Sequence, residues 1–179
     1  EERLPAPFRR IMSAAAQNRQ VLGTTVEIAL VGDSERVSTS ALWDELWGSV
    51  EDFDERFSRF RAESELSRFN KRAGSRQEVS EEFRALLSTT LRSAKQSGGM
   101  LNPLILPLLQ RAGYVDSFHP HEKKQRDDAY KDRQLHAISE ISMTDSFVSI
   151  PVSAALDLAV TAKGYLGDRL ADLLKSKGL

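Results

Sequence analysis

The sequence contains no cysteine among its 179 residues, which excludes disulfides, thiolate metal ligands and cysteine nucleophiles and leaves the redox compartment unassigned. It also lacks an excess of either charge. Its 25 Lys and Arg face 26 Asp and Glu, with a pI near 6.4, so no global field draws in nucleic acid, an anionic membrane or an acidic substrate. A charged ligand must be held by local geometry. No apolar run approaches the roughly 20 residues of a membrane-spanning helix, and the opening stretch EERLPAPFRR has no hydrophobic segment of the kind a signal peptide needs. The GxxxxGK[ST] phosphate loop, GxGxxG, GxSxG and HExxH are all missing, and with them the common nucleotide, hydrolase and zinc-protease signatures. No repeat, low-complexity tract or linker divides the chain, so one domain over residues 1–179 is expected. The first residue is Glu1 rather than methionine, so an N-terminus that is processed, trimmed or incomplete is expected.

What is present reads as alternating elements around one core. Arg19 to Gly32 is rich in Val, Ile and Thr, alternates at Val26, Ile28 and Leu30, and predicts a strand. From Ala41 to Phe60 the residues Leu42, Leu46, Val50, Phe53, Phe57 and Phe60 recur at spacings of three and four, predicting a helix with one buried stripe and Ser40 as its N-cap. Ser64 to Ser75 reads as a short helix or turn ending at Gly74. Ser80 then caps a helix that buries Phe83, Leu86, Leu87, Leu91 and Ala94 and stops at Gly98-Gly99. MLNPLILPLLQRAGY is apolar but broken by Pro103 and Pro107, so an extended entry and a short helical turn are expected. Phe118 to Gln134 is a charged loop or irregular helix, ISEISMTDSFVSIP a hairpin about Asp145-Ser146, and a last helix runs from about Ala162 to Gly178. This order predicts an α+β fold with helices packed on a small, largely antiparallel sheet. A further strand would ordinarily follow the last helix to cover a sheet edge.

Three local patterns invite chemistry. In LDLAVTAKGYLGDRLADLL, Asp157 ends an apolar segment and Lys163-Gly164 falls at the expected first turn of a helix, a seat for a phosphate-like anion. Spacing alone serves a simpler reading at least as well, with Asp157 a cap and Lys163 solvated. FSRFRAESELSRFNKRAGSR interleaves Phe57, Phe60 and Phe69 with Arg56, Arg59, Arg61, Arg68, Lys71, Arg72 and Arg76. That mixture suits single-stranded nucleic acid in principle, but Phe57 and Phe60 belong to the core stripe and Glu63 and Glu65 dilute the charge. Nucleic acid is therefore not expected, and a solvated helix end or a local anionic ligand is. His119, His121 and His136 lack acidic or thiol partners at metal-binding spacing and read as surface residues.

Taken together, VLGTTVEI (Val21 to Ile28), FDERFSRFRAESELSRFN with GGMLNPLILPLLQRAGY, and LDLAVTAKGYLGDRLADLL resemble the ApbE family in order and spacing. That family consists of flavin transferases that use FAD to attach FMN to a threonine of a target flavoprotein. The resemblance implies an ApbE-like (T-fold-like) α+β fold, with FAD as substrate, Mg2+ as cofactor and a flavoprotein bearing an acceptor threonine as partner. Carried over residue by residue, it puts Leu22 and Phe60 against the flavin nucleotide as stacking surfaces. Met100, Leu101 and Asn102 line the FAD, with Asn102 standing where many members have aspartate. Asp157 and Lys163 become FAD ligands, and the main-chain carbonyl of Val160 becomes a magnesium ligand, a role that does not depend on the side chain.

Many members read Asp-Leu-Gly-Gly where this chain reads Asp157-Leu158-Ala159-Val160. The side chains that complete the family's magnesium site lie farther downstream than Leu179, so the expectation is an N-terminal portion, incomplete at its C-terminus and a poor catalyst alone, with no catalytic residue assignable. Two alternatives stay open, a non-catalytic flavin-binding module and a magnesium-dependent FAD pyrophosphatase in which water replaces the threonine. Family members are often exported lipoproteins, which would place the protein at the cell envelope, but this sequence assigns no compartment.

Overall fold

A computed structural model describes residues 12–33, 37, 39–114 and 135–179. The stretch Phe118 to Gln134, expected as a loop or irregular helix, lies outside them with His119 and His121. The first described element is a hairpin of β1 (Met12–Val21) and β2 (Thr24–Asp33), antiparallel, with Val21 opposite Thr24 and Met12 opposite Asp33. The single strand expected over Arg19 to Gly32 is therefore two strands, folded back at Leu22-Gly23. Both turn residues have positive φ, 57° for Leu22 and 66° for Gly23, as a tight two-residue hairpin turn demands. A leucine in that region is uncommon, which is why the pair does not read as a turn. β1, sequence MSAAAQNRQV, carries little of the β-branched and aromatic content that marks a strand.

Helix α1 (Ser40–Phe57) buries Leu42, Trp43, Leu46, Trp47, Val50, Phe53 and Phe57, the stripe that three-and-four spacing produces. Trp47 donates its indole N–H to Gln17 on β1 at 2.8 Å, and Trp43 donates to the carbonyl of Val37 at 3.0 Å, so two large apolar side chains are buried with their polar atoms satisfied. Two expectations fail at the ends of α1. Ser40 is the first helical residue rather than the cap, and the helix stops at Phe57 with Ser58 as its C-cap. Phe60 is thus off the stripe and exposed.

Helix α2 (Glu65–Lys71) is capped by Ser64, whose hydroxyl accepts from the N–H of Ser67 at 3.0 Å, and α3 (Glu81–Gln96) by Ser80, accepting from Phe83 at 3.1 Å. Such caps satisfy N–H groups left free in the first turn. Helix α3 ends before Gly98 and Gly99, both at positive φ, as expected. Asn102 then starts a 3-10 turn (Pro103–Ile105) that runs into α4 (Leu106–Arg111), the short proline-broken helical piece read from the sequence.

The second sheet has order β3-β5-β4, from Gln77–Glu78, Phe147–Ser149 and Ser142–Met143, with both pairings antiparallel; β4 and β5 form the expected hairpin. Its exit is pinned by Gly74, which donates to the carbonyl of Ile150 at 2.9 Å. A Cβ on Gly74 would come within 2.5 Å of Val152, so only glycine permits this approach.

Helix α5 (Ala159–Ser176) closes the described chain. It starts earlier than the expected Ala162, which moves Lys163-Gly164 from the first turn into the second. Helices α1, α3 and α5 meet on a common core with Trp47, Phe53, Phe69, Phe83, Leu86, Leu87, Leu156 and Leu158 at its centre. At their margin the half-buried carboxylate of Glu82 on α3 binds Arg56 of α1 and Arg169 of α5. The fold is α+β, as the element order predicts, with helices packed on two small antiparallel sheets.

Candidate functional site

The segment between the second hairpin and α5 is anchored from two sides. The Asn70 carboxamide donates to the carbonyl of Leu156 at 2.9 Å and accepts its N–H at 2.8 Å, while the N–H of Asp157 donates to the carbonyl of Pro103 at 2.7 Å. With its backbone fixed, Asp157 is buried to 7% exposure. Its Oδ1 accepts the N–H of Ala159 at 2.8 Å and its Oδ2 lies 3.5 Å from Nε of Arg59. Asp157 is not the cap itself, which is Leu158, but stands one residue before it: one oxygen accepts the first N–H of α5 and the other meets a cation. A carboxylate buried to this degree needs such a partner.

Arg59 is the residue the sequence reading missed. Its side chain is only 15% exposed, its Nη1 donates to the carbonyl of Tyr114 at 3.0 Å, and its guanidinium lies 4.5 Å from the centre of the Phe60 ring. Spacing does not distinguish it from the six other cations of the same stretch. The tertiary fold does, because Arg59 gathers Phe60, the end of the α4 segment and Asp157 into one group.

The other expected site residues are distributed around that group. The Asn102 carboxamide accepts from the N–H of Leu104 at 2.9 Å and donates to the carbonyl of His136 at 2.8 Å, so it ties the turn at Pro103 to the distant His136 segment. Met100 is 90% exposed and Leu101 partly buried. Val160, 73% exposed, occupies the first turn of α5, and Lys163 points to solvent one turn on. Leu22 sits at the tip of the first hairpin, partly buried against the core. Among the described residues no hydrogen bond or ion pair joins Leu22 or Lys163 to the Asp157 group.

His136 has both ring nitrogens engaged, Nδ1 with Glu140 at 3.1 Å and Nε2 with Ser153 at 2.9 Å. Glu140 titrates below its usual range because it accepts the N–H of Ala137, and next because of its hydrogen bond with His136. A cleft of about 130 Å³ lined by Leu104, Pro107, Leu108, Arg111, Leu135, His136 and Ser153 adjoins this histidine, too small for a dinucleotide, whose pockets run to several hundred Å³. Two larger clefts, about 420 and 520 Å³, lie along α2 among Glu65, Arg68 and their neighbours and are lined by none of the expected site residues.

Apart from Arg59 and Phe60, much of the basic and aromatic stretch is engaged in the fold. Phe57 and Phe69 are in the core, Arg56 binds Glu82 and Glu65, Arg61 binds Asp54 at 2.8 Å, and Arg76 covers Phe147 at 4.3 Å. Among the described residues no three His, Asp or Glu side chains stand close enough to hold a metal ion.

A sequence model of the ApbE family matches residues 22–179. The chain is similar to a FAD:protein FMN transferase of Haemophilus influenzae, 27% identical over an alignment of 165 residues, with 87% of this chain and 47% of the relative covered. It is similar to a second protein of that name from Vibrio cholerae, 25% identical over 160 residues, 88% of this chain and 48% of the relative. In structure it matches the ApbE protein of Thermotoga maritima with a TM-score of 0.78 at 20% identity, over 92% of this chain and 53% of the other. The chain thus spans about half the length of the curated relatives it matches.

Proposed function

The chain belongs to the ApbE family, and on that premise we propose that its 179 residues form one domain, the flavin-nucleotide-binding portion of an FAD:protein FMN transferase. The observation that carries the proposal is the meeting of three distant stretches at Asp157, which touches Arg59 beside Phe60 on one side and Pro103 beside Asn102 on the other. Such convergence is what a binding site built from loops on a rigid core requires.

Each expected residue then has a task. The exposed ring of Phe60 offers a stacking face, and Met100, Leu101 and Leu22 offer apolar contact to the isoalloxazine or adenine. Asn102 shapes the backbone that lines the nucleotide. The Asp157 oxygens keep lone pairs for ribose or base donors while bound to Arg59 and Ala159, and Lys163 supplies a solvent-facing cation for the pyrophosphate. In the transfer itself, the threonine oxygen of the target flavoprotein forms a bond to the FMN-side phosphorus as the pyrophosphate link breaks and AMP departs with the bridging oxygen. No described residue is assigned as the base that takes the threonine proton.

Magnesium fits this chain in part. Val160 stands in the first turn of α5; its carbonyl is a hard oxygen of the type the ion prefers, but it points along the helix into the hydrogen-bond ladder of the next turn. One carbonyl is not a site, so waters, phosphate oxygens and groups outside the described residues would have to complete the shell. When bound, the ion supplies positive charge against the pyrophosphate.

The test is to incubate the full-length protein with FAD, magnesium and a threonine-bearing flavoprotein, following AMP by chromatography and protein-bound flavin by in-gel fluorescence. Both products are expected. AMP without labelled protein would replace the proposal with an FAD pyrophosphatase, and FAD binding without AMP would leave a non-catalytic flavin-binding module.

A further inference from the structure

We infer that Arg59 is the positioning residue of this site, holding the Asp157 carboxylate and the Phe60 ring in the orientation in which both meet the flavin nucleotide. The inference rests on the proposed FAD-binding function and adds to it a residue which the resemblance leaves without a role. Arg59 lies just past the C-cap of α1, so its backbone direction is set by a helix locked into the core. From there its guanidinium makes three contacts in three directions: Nε to Asp157 Oδ2 at 3.5 Å, Nη1 to the Tyr114 carbonyl at 3.0 Å, and one face to Phe60 at 4.5 Å. Because the guanidinium is planar and rigid, three such contacts define one orientation, and each partner is fixed through it.

The consequence differs for the two site residues. Asp157 has its Oδ1 committed to Ala159, so the position of Oδ2 relative to Arg59 decides where the remaining lone pairs point. Phe60 is 38% exposed, outside any helix and away from the core stripe, and its ring would be free to turn without the cation across it. The other arginines nearby are committed elsewhere, Arg56 to Glu82 and Glu65 and Arg61 to Asp54. Among the described residues Arg59 is the cation paired with Asp157. A lysine at this place would retain the charge but not the plane, and so would keep Asp157 paired while releasing Phe60.

The test is FAD affinity, read by flavin fluorescence on the full chain, for the wild type, Arg59→Met, Arg59→Lys, Asp157→Asn and the double variant Arg59→Met/Asp157→Asn, each with a melting curve. Arg59→Met is expected to weaken FAD binding by about tenfold and Arg59→Lys by less. The double variant is expected to lose no more than the weaker-binding single, since coupled neighbours are not additive. A purely structural arginine would lower the melting temperature and leave the affinity of the folded protein unchanged, and that result overturns the inference, as does full additivity with Asp157→Asn. If Arg59→Met does not fold, Arg59→Lys decides: weakened binding at an unchanged melting temperature supports the inference, and wild-type affinity overturns it. A wild-type protein that fails to bind FAD removes the proposed function and the inference together, whereas wild-type binding with indifferent Arg59 variants removes the inference alone.

Discussion

Asn70 and Leu156, 86 positions apart, exchange two hydrogen bonds as adjacent strands do, the side-chain amide of one standing in for a backbone. Leu156 is fully buried. Replacing Asn70 by Ala leaves its N–H and C=O unpaired in the core and should destabilise the protein by about 2–4 kcal/mol, measured by urea denaturation. A loss below about 0.5 kcal/mol would mean that water replaces the amide and that the clasp is dispensable.

Leu22 separates stability from binding. Its φ of 57° costs a non-glycine residue about 1–2 kcal/mol, close to what its partial burial contributes, roughly 1–1.5 kcal/mol. Leu22→Gly should therefore shift stability by less than about 1 kcal/mol while weakening FAD binding severalfold. Unchanged affinity in a fluorescence titration would remove Leu22 from the site.

The hydroxyls of Thr90 on α3 and Thr161 in the first turn of α5 meet at 2.6 Å, and Thr90 also bonds the carbonyl of Leu86 at 2.8 Å. Thr90→Val and Thr161→Val should each cost about 1 kcal/mol, and the double variant should cost less than their sum by about 0.5–1 kcal/mol. Strict additivity in denaturation midpoints would show that the two hydroxyls do not act on each other.

Glu140 makes stability depend on acid. Its folded pKa lies below the ordinary 4.5, first through the Ala137 N–H and then through His136. A depressed carboxylate contributes stability that is present above the unfolded value and lost as pH falls through the folded one. Melting temperatures of the wild type and Glu140→Gln should differ at neutral pH and converge as pH drops below 4.5. A gap that stays constant would exclude Glu140 as a source of acid sensitivity.

The parts of the fold legible in sequence are those fixed by neighbours in the chain. Ser64 and Ser80 cap the helices they precede, Gly98-Gly99 ends α3, and Pro103 and Pro107 break the apolar stretch, because each effect acts within one turn. β1 was invisible, since its small and polar residues become a strand only by pairing with β2. The stripe of α1 was extended falsely to Phe60 because its spacing persists after Ser58 has ended the helix. Spacing leaves Asp157 open as a cap or a ligand, and it does not reveal the tertiary contact by which Arg59 meets one oxygen while the Ala159 N–H meets the other.

The bond from the N–H of Asp157 to Pro103, with those of Arg59 to Tyr114 and Asn70 to Leu156, also sets a timetable. Helices α1 to α3 are near neighbours along the chain, whereas the Asp157 group draws on segments that must close long loops, at an entropic cost of about 4 kcal/mol for a separation like that of Asn70 and Leu156. Contacts of such high contact order are gained late. During synthesis on a ribosome the group cannot assemble until residue 157 has emerged. Because Leu156 and Leu158 flank Asp157 and lie in the same core as Trp43 and Trp47, the docking that assembles the group also completes the core.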